Sequence, residues 1–133
     1  MNKKQLSKYF YLSLEIKDIE NKLYEIRNKS VGVSRLTGMP FAPGTGNPVE
    51  NQVALIEKYT EKLNRKKILA LEEILKIEEY IQNIEDIETR MIFNKRYVEL
   101  KPWHQIAREM YMSEPTVFRK HKNQLKRDGD NHD

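Results

Sequence analysis

The stretch Met110–Lys126, MYMSEPTVFRKHKNQLK, places Pro115 two residues after Ser113 and just ahead of a basic run. A proline inside a helix removes a hydrogen bond and clashes with the preceding turn, so Pro115 marks either a stop or a start. The first four N–H groups of a helix have no acceptor within it, and a proline there gives up nothing. With Ser113 as N-cap, Pro115 falls in the first turn, where its fixed φ suits the helix. The stretch therefore predicts a helix that begins after Ser113 and ends near Arg127, with Gly129 available as a stop.

Two further short helices precede it. Pro102 marks the first turn of one that covers Trp103, Ile106, Ala107 and Met110. Another runs from about Asp86 to Val98 and should bury Ile87, Met91, Ile92 and Tyr97. Two short helices joined by a tight turn, with apolar residues at Ile106, Ala107, Val117 and Leu125, make a helix-turn-helix pattern. Ala107 is small where the two helices cross, and Val117 faces back onto the first of them. The opposite face then projects Glu114, Pro115, Thr116, Phe118, Arg119, Lys122 and Asn123, with Lys120, Lys126 and Arg127 on its flanks.

The chain upstream has a different rhythm. Tyr9, Leu12, Ile16, Ile19, Leu23 and Ile26 recur at spacings of three and four, a narrow heptad seam. A second long helix should start with Asn47 as cap and Pro48 at its first position. Its seam reads Val49, Val53, Ile56, Leu63, Ala70, Ile74, Ile77, Ile81 and Ile84, with Thr60 and Lys67 at the vacant positions. Such thin stripes need a partner. An antiparallel hairpin within the chain and a coiled coil between copies both satisfy them, and the sequence does not choose.

Between the two seams, four of the five glycines and three of the five prolines crowd into Gly32–Pro48. That composition predicts a loop over 29–47, a flexible connector or, through Lys29 and Arg35, a recognition arm. It lacks the Gly-Lys-Ser/Thr ending of a phosphate-binding loop.

Apolar residues make up 38% of the 133-residue chain and charged residues 33%, which suits helices with thin seams better than a thick core. There is no cysteine, so disulfides and thiolate metal sites are excluded, and a cytoplasmic setting is expected. The first twenty residues are charged throughout and read as neither signal peptide nor membrane span. His104, His121 and His132 match no metal-ligand spacing and read as surface or phosphate-facing groups. The pairs Glu72-Glu73 and Glu78-Glu79 read as solvated faces. No nucleophile with a base and an orienting group is present, so no enzyme is expected.

Net charge is +4, and the basic excess is densest at 113–127, where five basic residues meet one acid. A basic helix in a helix-turn-helix points to double-stranded DNA. In that geometry the start of the last helix enters the major groove. Arg119 then pairs with guanine, Thr116 or Phe118 touches a thymine methyl, and Glu114 accepts from a cytosine amino group. Lys120, Lys122, Lys126 and Arg127 suit phosphates. Ser113, Glu114, Pro115, Thr116, Phe118, Arg119, Lys120, Lys122, Asn123 and Lys126 are the candidate DNA-binding residues.

The stretch RYVELKPWHQIAREMYMSEPTVFRKHKNQLK, Arg96–Lys126, resembles the fourth region of primary-type sigma factors, the helix-turn-helix that reads the −35 promoter element. The whole chain resembles the small phage and prophage transcriptional regulators of the RinA and ArpU type. Those combine an N-terminal coil, an sGMP-like loop (here Thr37-Gly38-Met39-Pro40), a second long helix and a C-terminal sigma-like module. The resemblance implies control of late phage genes, no cofactor, and RNA polymerase as a further partner. One residue departs from the pattern: the position four after the alanine is commonly glycine, and here it is Tyr111. A left-handed conformation there costs a non-glycine residue about 1–2 kcal/mol.

The expectation is an all-α protein: a hairpin or coiled coil over 1–85, a helix-turn-helix module over 86–128, and a disordered tail over 129–133. It would act as a DNA-binding regulator, with a homodimer through the heptad helices in reach. A phage small terminase subunit or packaging adaptor, or a module that grips polymerase alone, would use the same parts.

Overall fold

The computed structural model describes residues 1–29 and 48–128. The expected loop and tail, with Asn47 and Gly129, lie outside these apart from Lys29. Among the described residues the secondary structure is all helical, with no strand. The helices are α1 (Lys3–Leu6), α2 (Lys8–Asn28), α3 (Pro48–Gln82), α4 (Ile87–Phe93), α5 (Trp103–Met110) and α6 (Glu114–Asp128), with a π-helical turn at Asn94–Val98. The chain forms two units, Met1–Ser13 with Leu69–Asp133, and Leu14–Ile68.

In the unit Leu14–Ile68, the later part of α2 pairs antiparallel with the first part of α3. Ile19, Leu23 and Leu63 are buried together, with Ile16, Ile56 and Tyr59 around them. Lys66 reaches Glu15 at 3.1 Å and Lys67 reaches Glu20 at 3.9 Å. Further along, Gln52 donates to the Ile26 carbonyl at 2.8 Å. The seams thus meet within one chain as a hairpin. Val49 and Val53, expected in the seam, are instead exposed. Helix α2 ends at Asn28, and the polar side chain of Gln52 meets its last turn. Lys67 also leaves the seam, its ammonium turned out toward Glu20.

In the other unit, Leu6, Ile77, Ile81, Ile84, Phe93 and Tyr97 form one core, against which Tyr9, Tyr80 and Leu125 pack. Leu6 sits on α1, which begins with a reciprocal cap: Asn2 accepts from the Gln5 N–H and Gln5 accepts from the Asn2 N–H. Full burial of side chains such as Leu6, Ile77 and Phe93 contributes about 1.5–3 kcal/mol each. The expected boundary at 85/86 falls inside this unit, because Phe93 and Tyr97 share the core of Ile77 and Ile81.

Two expectations are corrected here. Glu73 is not on a solvated face; it is 7% exposed and pairs with Lys8 at 3.0 Å. Helix α4 also turns a different side inward. Ile87, expected to be buried, is 60% exposed and Met91 is exposed too, while Thr89, Ile92 and Phe93 are buried. Asp86 caps α4, accepting from the Thr89 N–H at 3.0 Å and the Thr89 hydroxyl at 2.7 Å. That cap satisfies Thr89 where it is buried, and it holds the Asp86 carboxyl below its ordinary range. The large rings of Phe93 and Tyr97, 5.5 Å apart, then set the inward side in place of Ile87 and Met91.

Candidate nucleic-acid interface

Helices α5 and α6 with the turn Tyr111–Ser113 form a helix-turn-helix. Pro102 stands just before α5 as its N-cap, one residue outside the expected first turn. Ile106, Ala107 and Val117 are buried with Ile92, and Trp103, Met110 and Met112 pack around them. Ala107 and Val117 therefore sit as expected, the small residue and the inward residue of a close crossing.

The turn resolves the question set by Tyr111. Its backbone is left-handed, φ 57° and ψ 40°, the conformation that glycine adopts most easily. The Tyr111 N–H bonds the Arg108 carbonyl and the Met112 N–H bonds the Ala107 carbonyl at 3.0 Å, closing the end of α5. Tyrosine keeps this geometry with its side chain 96% exposed.

Helix α6 starts as predicted. The Ser113 hydroxyl accepts from the Thr116 N–H at 3.3 Å, and Val117 N–H donates to the Ser113 carbonyl at 3.1 Å. Glu114 and Pro115 are the first two helical residues, both exposed. Thr116 is half-buried, its hydroxyl 2.8 Å from that of Ser113, which turns it toward the cap.

Beyond the cap, Arg119, Lys122, Asn123 and Lys126 are exposed, and among the described residues the three cations pair with no carboxylate. Pro115, Arg119, Lys122 and Lys126 follow helical spacing on the face opposite Val117, His121 and Gln124, which are buried.

Lys120 does not belong to that stripe. It is turned back onto the start of α4, with Glu88 at 3.1 Å and Asp86 at 3.8 Å. Its ammonium is thus already paired within the fold, unlike those of Lys122 and Lys126 among the described residues. Phe118 is 44% exposed and does not stand clear of Trp103, as its place opposite the core implied; the rings meet edge to face at 5.2 Å. Trp103 bridges the module's helices, its ring against Phe118 and His121 and the Arg96 guanidinium 4.5 Å over it.

His121 is the largest departure. Expected on the surface, it is buried between Phe93, stacked at 5.0 Å, and Trp103, edge-on at 4.8 Å. Its Nε2 lies 2.5 Å from the Tyr97 hydroxyl. Burial pushes the imidazole down to about 4 and the Tyr97 hydroxyl up to about 12. His121 follows Val117 by four residues, a one-turn spacing that marks an inward position despite the basic neighbours. Of the other histidines, His104 is exposed and His132 lies outside the described residues.

Two polar clusters hold the module's frame. Glu109 accepts from Lys95 and Lys101, each at 2.7 Å, and from Gln105 at 2.9 Å. The Lys101 and Lys95 hydrogen bonds hold its carboxyl down at about 2. At the far end of α6, Asp128 accepts from the Tyr80 hydroxyl and from Gln124 at 2.7 Å. Burial and this carboxylate raise the Tyr80 hydroxyl.

No family model matches the chain, and neither a curated protein nor a solved structure matches it. Among the described residues, no helix is long and apolar enough to cross a membrane.

Proposed function

We propose that this protein is a sequence-specific, double-stranded-DNA-binding transcriptional regulator of the phage and prophage type, with α6 as the recognition helix. One observation carries the reading: the outward stripe of α6 holds Arg119, Lys122 and Lys126, uncompensated by carboxylates among the described residues, while its inward side is locked by Val117 and His121. A rigid helix with cations on its free side suits a major groove lined by phosphates. The sigma-like sequence of Arg96–Lys126 supports promoter DNA as the target and RNA polymerase as a neighbour.

The roles divide by geometry. Arg119 reads a guanine, with Glu114, Pro115 and Asn123 beside it at base edges. Lys122 and Lys126 hold phosphates, and Ser113 and Thr116 shape the helix start that enters the groove. Phe118 contributes its exposed edge to a thymine methyl. The buried part of the apolar seam is used inside the chain, and dimerisation through it is not part of the proposal.

The test is selection of bound sequences from a random duplex pool, followed by gel-shift titration. Wild type should enrich a defined motif, and Arg119→Ala should lower affinity for it by about 1–3 kcal/mol and relax one base position. Enrichment of no motif, or a motif unchanged in Arg119→Ala, would remove α6 as the reader.

A further inference from the structure

A second site shares no residue with the outward face of α6. Lys3 on α1, Ser7, Phe10 and Tyr11 at the start of α2, and Arg96 and Leu100 around the π turn line a cleft of about 290 Å³. All belong to the same compact unit. Its walls are of two kinds.

One wall is aromatic and apolar. Phe10 is 40% exposed and Tyr11 61%, their rings edge to face at 5.3 Å, and Leu100 closes this side. Large rings left this open in a chain with thin seams are surfaces that a partner can cover.

The other wall is cationic. Among the described residues neither Lys3 nor Arg96 pairs with a carboxylate. The Arg96 guanidinium is held in place by Trp103 at 4.5 Å and by donation to the Lys101 carbonyl at 3.1 Å. Those contacts fix the plane of the fork and leave other N–H groups to donate. Both cations, Lys3 and Arg96, lie near enough to His121 to add, after burial, to what disfavours a second proton there.

We propose that this cleft docks a short acidic segment of a protein partner, a carboxylate on Arg96 and Lys3 and a neighbouring apolar side chain on Phe10, Tyr11 and Leu100. A fixed guanidinium is the shape that a carboxylate pairs with in bidentate fashion. The adjoining rings select a peptide over a nucleic-acid backbone, which offers charge to the cations but no aliphatic or aromatic side chain to the rings. Arginine and aromatic residues together are also the groups that dominate protein–protein affinity. The site shares no residue with the outward stripe of α6 and stands whether or not that stripe binds DNA.

The experiment is an amide and arginine-side-chain NMR titration of the full chain with the peptide acetyl-Asp-Phe-Asp-Leu-amide. Saturable shifts are expected at Ser7, Phe10, Tyr11 and the Arg96 Nε–H, weakening as salt is raised. Arg96→Gln should weaken binding about tenfold. Lys3→Glu, a change on an exposed residue, should weaken it comparably and keeps the test alive if Arg96→Gln unfolds. Two controls run beside it, the same peptide with Asn for Asp and a random-sequence DNA duplex. An equal response to the Asn peptide, no saturation with the acidic one, or shifts at these residues from the duplex alone would each overturn the proposal. The peptide arms do not depend on whether α6 selects a DNA motif. In the duplex arm the shifts that count are those at Ser7, Phe10 and Tyr11, because Arg96 stacks on Trp103 beside Phe118 of α6.

Discussion

The Tyr97 hydroxyl and the His121 imidazole meet at 2.5 Å between the π turn and α6, both neutral groups walled in by rings. This pair ties α6 to the core through a neutral imidazole whose burial disfavours a second proton.

That burial sets a pH dependence. His121 ordinarily titrates at 6.5 and is held at about 4 in the fold, so between those values the unfolded chain binds more protons. Its contribution is complete above about pH 6.5 and is lost as pH falls toward 4, by at most about 3 kcal/mol. Glu109, lowered from 4.5 to about 2, acts in the window below. Urea midpoints measured from pH 7.5 to 4.5 should fall, and His121→Gln should flatten that slope. A wild-type midpoint constant over that range would count against the buried neutral imidazole.

Tyr111 gives the opposite kind of prediction, a stabilising substitution. Its left-handed φ of 57° costs energy, and its side chain, 96% exposed, returns almost no packing. Tyr111→Gly should raise stability by up to about 1 kcal/mol, read by chemical denaturation, the looser unfolded chain offsetting part of the gain. Loss of stability would mean that the ring makes an intramolecular contact in solution.

Lys8 and Glu73 test how a buried charge is held. Removing the Lys8 ammonium leaves the buried Glu73 with, among the described residues, only Lys76 nearby, at 4.0 Å. Lys8→Met should destabilise by about 1–3 kcal/mol, below the full cost of breaking a buried pair because Lys8 itself is largely exposed. Glu73→Leu should be neutral or stabilising in the same thermal melts, since it removes the charge as well as the pair.

The three lysines of α6 should separate in salt titrations of DNA affinity. Lys122→Ala and Lys126→Ala should each reduce the slope of log K against log salt by about one, with sequence preference unchanged. Lys120→Ala should leave the slope alone, because its ammonium already faces Glu88 and Asp86. Equal slopes for all three variants would return Lys120 to the interface.

The parts that sequence made legible are those governed by local rules. The spacings of Leu12, Ile19 and Leu23 on α2, and of Leu63, Ala70, Ile77 and Ile81 on α3, mark buried positions because each lies one or two helical turns from the next on its helix. Ser113 and Pro115 mark a helix start because the orphan N–H groups demand it. At Tyr111 the motif's usual glycine pointed to a left-handed turn, but the tyrosine in its place left open whether the turn differs or packing compensates. The turn is left-handed and the residue is exposed. The rest depended on tertiary choices that periodicity does not encode. Helix α4 could turn Ile87 and Met91 or Thr89 and Phe93 inward, and the cap from Asp86 together with the Phe93–Tyr97 ring pair decided it. His121 looked solvated because lysines flank it in sequence, yet helical geometry sends Lys120 and Lys122 to other sides. Lys120 itself looked free because its partners, Asp86 and Glu88, lie more than thirty residues away. On α6, the outward placement of Arg119, Lys122 and Lys126 was legible, while the inward support from His121 was not.

The Asp128 carboxylate, gripped by Tyr80 and Gln124, bears on how α6 would meet a ligand. Helix ends ordinarily fray, and a frayed end has to be ordered when something docks on it. Here the last turn is moored to α3 before any encounter. Association with α6 should then carry a small heat-capacity change, that of the surface covered, without the larger signature of folding on contact.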